Sequence, residues 1–188
     1  MGGAYFLAQA SDAELAVLAA TDDAGAFEML VRRHAPVIRA LLRRMGAQES
    51  LADDLAQECF VIAFQRIGGF RAEGSFQGWL KQIAVRLYVR RWRFEARYEA
   101  LDADTEEGDG GAVSADARLD LDEALKSLSS AERMCVSMCS GAGFSHTEAG
   151  ALLKMPAGTV KSHVKRGLDK LRRRLDTGPA RTGSRLDA

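Results

Sequence analysis

The stretch Ser145-His146-Thr147-Glu148-Ala149-Gly150-Ala151-Leu152-Leu153, then Lys154-Met155-Pro156-Ala157, then Gly158-Thr159-Val160-Lys161-Ser162-His163-Val164, decides how the whole chain is read. Ser145 and Glu148 have capping-box spacing, in which a hydroxyl and a carboxylate satisfy orphan backbone N–H groups at a helix start. A short turn holding Pro156 follows, and a second helix begins near Gly158-Thr159. Val160, Val164, Leu168 and Leu171 recur at helical spacing and give that helix a buried stripe. Two helices so joined match a helix-turn-helix, whose second helix enters the major groove and reads base edges with its N-terminal residues. Thr159, Lys161, Ser162, His163, Lys165 and Arg166 place donors on it, while Lys170, Arg172, Arg173 and Arg174 suit phosphates or a solvated face.

Outward from this pair, the composition is helical. Of 188 residues, 31 are Ala and 21 Leu against 20 Val, Ile and Thr together, so helix formers outnumber β-branched residues. Two further capping boxes stand at Ser11 to Glu14 and Ser129 to Glu132, with a looser version at Ser50 to Asp53. Phe27, Leu30, Val31, Ile38, Leu41 and Leu42 predict a long helix bent at Pro36. Leu51, Leu55, Cys59 and Ile62 predict a second, and the segment from Ser75 to about Tyr98, carrying Trp79, Ile83 and Leu87, a third. Helices are expected over about 118–128, 131–140, 146–153 and 158–175. The fold class is therefore all-α.

Formal net charge is zero, but its distribution is uneven. Residues 1–65 carry net −4, 66–98 net +6, 99–132 net −9 and 133–188 net +7. Nine acidic residues between Asp102 and Glu123, among Gly and Ser, read as a solvated, flexible linker. Two basic segments across an acidic one are what two DNA-contacting modules on a tether would show, and ordinary scatter on solvated helices would show it too. The tail after Thr177 reads as disordered.

The first basic segment is rich in rings. The Phe70-to-Phe76 loop leads into a helix with Trp79, Lys81, Arg86, Tyr88, Arg90, Arg91, Trp92 and Arg93. Aromatic and basic residues interleaved suit single-stranded nucleic acid, since rings stack on bases and cations track phosphates. Trp79 also suits a core position, Trp92 less so. Upstream, Asp53-Asp54-Leu55-Ala56-Gln57-Glu58-Cys59-Phe60 puts Asp54, Gln57 and Glu58 near one helix face. With no His or Gly-rich loop nearby, this is a protein-binding or solvated face rather than an acid–base or metal site.

Several classes are disfavoured. No apolar run approaches the roughly 20 residues of a membrane span, and no signal peptide is read at the N-terminus. The odd cysteine count fits a reducing cytoplasm. Cys135 and Cys139, with His146 further on, are better read as small apolar residues than as zinc ligands. His34 and His163 have no nucleophile partner, so neither an enzyme nor a cofactor is expected.

In order, these segments resemble the extracytoplasmic-function (ECF) class of bacterial sigma factors over about 24–97 and 121–175. Asp23-Ala24-Gly25-Ala26-Phe27-Glu28-Met29-Leu30-Val31 resembles the family's opening segment. Asp53 to Phe60 resembles its polymerase-binding helix, Phe76-Gln77-Gly78-Trp79-Leu80-Lys81-Gln82-Ile83-Ala84 its promoter-melting helix, and Pro156-Ala157-Gly158-Thr159-Val160-Lys161-Ser162 its −35-reading helix.

The resemblance implies a region-2 domain over residues 1–98, a linker over 99–117, a region-4 helix-turn-helix domain over 118–176 and a tail over 177–188. It implies that Asp53, Asp54, Gln57, Glu58 and Phe60 grip the β′ clamp helices of core RNA polymerase. Phe70, Arg71, Ser75, Phe76, Trp79, Lys81, Arg86, Arg90, Arg91, Trp92 and Arg93 would hold the melted −10 element. Ser145, Thr147, Pro156, Gly158, Thr159, Lys161, Ser162, His163, Lys165 and Arg166 would bind −35 duplex promoter DNA, with region 4 also on the β flap. It further implies control by an anti-sigma factor.

Arg86 stands where the family commonly has Asn, Arg90 where it has Asp, and His163 where Arg is common. Ala149-Gly150 replaces a usual Ile-Ala, and a mid-helix Gly costs about 1 kcal/mol, which would loosen the helix pair. Two other classes fit parts of the pattern: a stand-alone operator-binding regulator, which would not need the Asp54, Gln57 and Glu58 face, and a protein–protein adaptor.

Overall fold

A computed structural model describes residues 7–70, 74–99 and 117–176. Every regular element among them is helical. Helix α1 (Asp12–Ala19) opens with the expected reciprocal box between Ser11 and Glu14. Helix α2 (Ala24–Met45) is capped by the Asp23 carboxylate, which accepts from the Ala26 N–H at 3.0 Å. Pro36 lies inside α2 on its exposed side, and the helix is assigned continuously through it. Gly46 ends the helix at φ 116°, a left-handed conformation that favours glycine.

Helix α3 (Glu49–Arg66) starts earlier than the Ser50-to-Asp53 spacing predicts. Its N-cap is Gln48, which makes no side-chain capping bond, and Ser50 lies inside the helix. The cause is the shortness of the connection. Gly46 N–H and Ala47 N–H already close on the last carbonyls of α2, so the chain re-enters helix at once. A single turn of 3₁₀ helix (Ile67–Gly69) leads toward α4 (Phe76–Glu99), whose start is held by Ser75 Oγ accepting from Gly78 N–H at 3.0 Å.

In the C-terminal half, α5 (Ala117–Lys126) precedes α6 (Ser130–Val136), which begins at the Ser129–Glu132 box and widens into a π turn over Ser137–Gly141. Helix α7 (His146–Leu153) carries the third box, and α8 (Ala157–Asp176) follows a turn whose first residue, Lys154, is left-handed at φ 56°. Gly150, expected to loosen the helix pair, has a packing reason for lacking a side chain. A Cβ there would stand 2.6 Å from the Met155 carbonyl oxygen, closer than real Cβ atoms come to any neighbour. The bare Gly150 backbone is what lets the turn fold down onto α7.

The largest fully buried side chains include Leu30, Ile38, Leu42, Met45 and Leu80 in the N-terminal half and Met134, Met138 and Val160 in the C-terminal half. All of them belong to one continuous buried cluster. A second cluster, Ala124, Leu125, Leu128, Val136 and Leu171, pins α5 to α6 and α8. The two halves, read from sequence as modules on a tether, are thus packed against each other through apolar surface. The expected linker (100–116 within it) and the tail 177–188 lie outside the described residues.

Candidate nucleic-acid interface

Three rings gather where the 3₁₀ turn meets α4. Phe70 lies 5.3 Å from Phe76, edge to face, and 5.4 Å from Trp79, with Phe76 5.5 Å from Trp79. Phe76 and Trp79 are neighbours because they stand three apart on one helix. Phe76 is only 2% exposed, so it supports the group from below, whereas Phe70 and Trp79 are half-buried and keep surface for stacking. The His34 ring packs 5.6 Å from Phe76, and its Nε2 lies 2.8 Å from Asp12 Oδ2, which ties α1 to the aromatic group. Ser75 is exposed at the rim, and Arg71 lies outside the described residues.

The basic residues of α4 are distributed round the helix. Lys81 Nζ donates to the Gly141 carbonyl at 2.9 Å. Arg86 is exposed, donates to the Gln82 carbonyl at 3.2 Å and stands over the Phe144 ring at 5.5 Å. Arg90 pairs with Glu58 at 2.8 Å, so the positive charge it brings is met by an acid from α3. Arg91 is exposed, Arg93 half-exposed. Trp92, which the sequence places poorly in a core, is half-buried and packs against the main cluster.

On α3, Asp54 and Gln57 are exposed, Glu58 is shared with Arg90, and Asp53 pairs with Arg39 at 2.9 Å. Phe60 departs from the expectation of a contact residue. It is 7% exposed and belongs to the core, because α2 and α4 both pack on that side of α3. The apolar residues that do face outward are Val61 at 56% and Phe64 at 47%, with Phe64 held edge-on to Phe27 at 5.0 Å. They were missed because Phe60 and Phe64 look alike in the pattern. Their spacing from Asp54 and Gln57, at i, i+3, i+7 and i+10, was the signal that places them on one stripe.

On the helix-turn-helix, Val160 and Val164 are buried and fix the roll of α8. That roll leaves Thr159, Lys161, Ser162, Lys165 and Arg166 exposed together at its N-terminal end, next to Pro156 and Gly158. Ser162 Oγ donates to the Gly158 carbonyl at 3.0 Å. His163 is half-buried, with Nδ1 3.1 Å from an Arg166 nitrogen. Ser145 is occupied by its capping box, and Thr147 is exposed one turn away. Behind α8, the Glu132 carboxylate is 4% exposed and takes Lys170 Nζ at 2.7 Å, with Arg166 Nε at 3.7 Å. The Lys170 bond, helped by Ser129, holds the Glu132 carboxyl below its usual range.

The thiols carry no sign of reactivity. Burial pushes Cys59 up to about 12 and Cys135 up to about 11, and raises Cys139 as well. Cys59 instead donates weakly to the Leu80 carbonyl at 3.5 Å. Among the described residues, no group of three His, Cys, Asp or Glu side chains is placed to hold a metal ion. No helix among them is long and apolar enough to cross a membrane.

Comparison with known proteins accords with this geometry. The sigma-70 region 2 family model matches residues 30–98, and the sigma-70 region 4 model residues 124–173. The chain is 33% identical over 172 residues to the RNA polymerase sigma factor NccH of Alcaligenes xylosoxydans xylosoxydans, covering 85% of this chain and 92% of that one. It is 37% identical over 170 residues to the ECF RNA polymerase sigma factor SigE of Mycolicibacterium smegmatis, covering 84% of this chain but only 65% of SigE. Among solved structures, CnrH in complex with the cytosolic domain of CnrY is similar at a TM-score of 0.54 and 27% identity, covering 89% of this chain and 98% of CnrH. The sigma factor RpoE bound to the anti-sigma factor NepR from Bartonella quintana shares the fold at a TM-score of 0.58 and 24% identity, over 81% of this chain and 98% of that one. A ring-lined nook beside a basic helix, an exposed acidic-amide face and a helix-turn-helix, in the order of sigma regions 2 and 4, thus belong to a chain of the RNA polymerase sigma-factor family, in its ECF class.

Proposed function

We propose that this chain directs core RNA polymerase to selected promoters by reading −35 duplex DNA with α7 and α8 and by capturing the melted −10 strand at α4. Residues 1–98 act as the region-2 unit and 118–176 as the region-4 unit. The observation that carries this reading is the Phe70, Phe76 and Trp79 group, where two rings keep exposed surface beside a basic helix. Such a surface suits unstacked bases, since stacking is tolerant of sequence and cations follow the phosphates. The exposed stripe of α8 suits a major groove, where Lys and Arg donate to base edges and phosphates.

Asp54, Gln57 and Glu58, continued by Val61 and Phe64, form the face for the β′ clamp helices, and the region-4 unit also docks on the β flap. An operator-binding regulator has no use for that α3 face. The complexes of RpoE with NepR and of CnrH with CnrY support an anti-sigma partner for this chain too. The chain supplies binding energy and no covalent chemistry, uses no cofactor, and works with the polymerase in the cytoplasm.

The test is reconstitution with core polymerase on a library of promoter DNA. Specific initiation is expected from the wild-type chain. Trp79→Ala is expected to co-elute with core enzyme as the wild type does yet to lose about five- to 150-fold in open-complex formation, since stacking is worth about 1–3 kcal/mol per base. No specific initiation and no co-elution with core enzyme would sink the reading as a whole. Unchanged promoter melting by Trp79→Ala would remove the ring-capture role.

A further inference from the structure

His163 and Arg166 stand three apart on α8, a spacing at which side chains on a helix meet. Arg166 Nη2 lies 3.1 Å from His163 Nδ1. A guanidinium has five N–H donors and no acceptor, so in this contact Arg166 donates and Nδ1 accepts. The ring proton then sits on Nε2, because the bond made by one imidazole nitrogen sets the tautomer of the other. Among the described residues the ring makes one hydrogen bond, the one at Nδ1. Nε2–H is left as a donor without a protein acceptor.

The rest of Arg166 is engaged as well. Its Nε lies 3.7 Å from a carboxylate oxygen of the buried Glu132 on α6. Glu132 is itself fixed, by the Lys170 ammonium at 2.7 Å and by the Ser129 N–H at 3.2 Å. Thr159, His163, Arg166 and Lys170 follow one flank of α8, at i, i+4, i+7 and i+11. The far end of that flank is tied to α6, and its near end, Thr159, is exposed. His163 stands where the flank passes from held to open. A guanidinium engaged with a ring nitrogen and set beside a buried acid is poorly placed for a base edge, and the imidazole it orients is better placed.

We propose that His163 is the base-reading group of this flank and Arg166 its positioning residue, which donates to Nδ1 so that Nε2–H meets the N7 of a purine in the −35 element. This rests on the reading of α7 and α8 as the −35 surface. The chemistry limits what such a group selects. In the major groove N7 is an acceptor on guanine and adenine alike, whereas cytosine offers its N4 donor. One proton on Nε2 is matched by either purine and opposed by cytosine. A guanidinium in its place would fork onto guanine N7 and O6 together and choose guanine over adenine. The pair therefore gives this chain a purine preference, rather than a guanine preference, at one −35 position.

The test uses holoenzyme reconstituted with each variant and a short dye-labelled duplex carrying the −35 element that the promoter library selects, read by anisotropy. One purine at a time is replaced by its 7-deaza analogue, which lacks the N7 acceptor, and the readout is the ratio of the two affinities. The wild type is expected to show a ratio of about two to ten at one purine, and to accept guanine or adenine there. His163→Ala is expected to bring that ratio to about one and leave the others unchanged. His163→Arg is expected to favour guanine over adenine there by about fivefold or more. Arg166→Ala is expected to lower the same ratio. Arg166→Gln, which keeps an N–H for Nδ1 without the charge, is expected to restore the ratio but not the overall affinity. Nitrogen NMR of the full chain labelled at histidine is expected to show His163 protonated at Nε2 in the wild type and mixed tautomers in Arg166→Ala.

A selected duplex with no N7 dependence at any purine overturns the proposal, as does a ratio that His163→Ala leaves unchanged. A proton on Nδ1 in the wild type overturns the positioning role, and so does equal loss of the ratio in Arg166→Ala and Arg166→Gln. If His163→Ala loses helicity, the wild-type spectrum and the Arg166→Gln rescue decide. A wild-type holoenzyme that selects no −35 duplex overturns it through the reading of α7 and α8.

Discussion

Phe60 and Gln57 stand three residues apart on α3 in different surroundings, the ring 7% exposed in the core and the amide in solvent. Truncating a buried ring loses its transfer free energy and leaves a cavity, so Phe60→Ala is expected to cost about 3–5 kcal/mol. Gln57→Ala is expected to stay within about 0.5 kcal/mol of the wild type and to weaken retention on core polymerase. Urea midpoints and co-elution of the two variants separate a packing role from a contact role, and a Phe60→Ala chain with wild-type stability would refute the core assignment. At this scale the sequence was legible only in part. Its pattern showed that Phe60 was apolar and near an acidic face, but which apolar residue turns inward depends on α2 and α4, far away in sequence. Gly150 makes the same point. Its intrinsic cost was readable, and its compensation, the 2.6 Å approach of the Met155 carbonyl, was not.

Among the elements, helix starts marked by a Ser and a Glu three apart were legible, since both partners lie within one turn and need no tertiary help. Ser11, Ser129 and Ser145 all cap as read. Ser50 did not, because a short connection after Gly46 set the start of α3 before the local spacing could act. The box at α6 also has a tertiary task that spacing does not reveal. Glu132 closes the box and receives Lys170 of α8, 38 residues on. Its carboxyl is held below the ordinary 4.5, chiefly by Lys170. A depressed carboxyl contributes stability that is present above its unfolded value and is lost as pH falls through the lower, folded one. The wild-type chain is therefore expected to lose α6–α8 stability on acidification from neutrality to well below 4.5, and Glu132→Gln to lose less over that range while being weaker near neutrality. Urea midpoints at the two ends of the range check it, and equal acid sensitivity in both chains would remove Glu132 as the cause.

The whole molecule is where the sequence said least. Zero net charge, split into acidic and basic segments, drew attention to two basic segments, because charge is countable without a fold. It read them as modules on a flexible acidic tether and held no sign of contact between them. The seam between the halves is apolar at its centre, where Leu41, Met45, Met138, Ala142 and Phe144 meet, with the Arg44–Asp122 ion pair at its edge. Salt screens exposed charge pairs, with a Debye length that falls from about 10 Å at 0.1 M to about 3 Å at 1 M, but it does not weaken burial of apolar surface. The two kinds of closure therefore separate by ionic strength. A charge-held chain would expand steadily as salt rises. The seam seen here predicts a radius of gyration that stays constant between about 0.1 and 1 M sodium chloride, and that grows when about 2 M urea is added, because urea solvates apolar and peptide groups. Scattering along both gradients, with circular dichroism to show that the helices persist, checks this, and expansion in salt alone would return the closure to electrostatics.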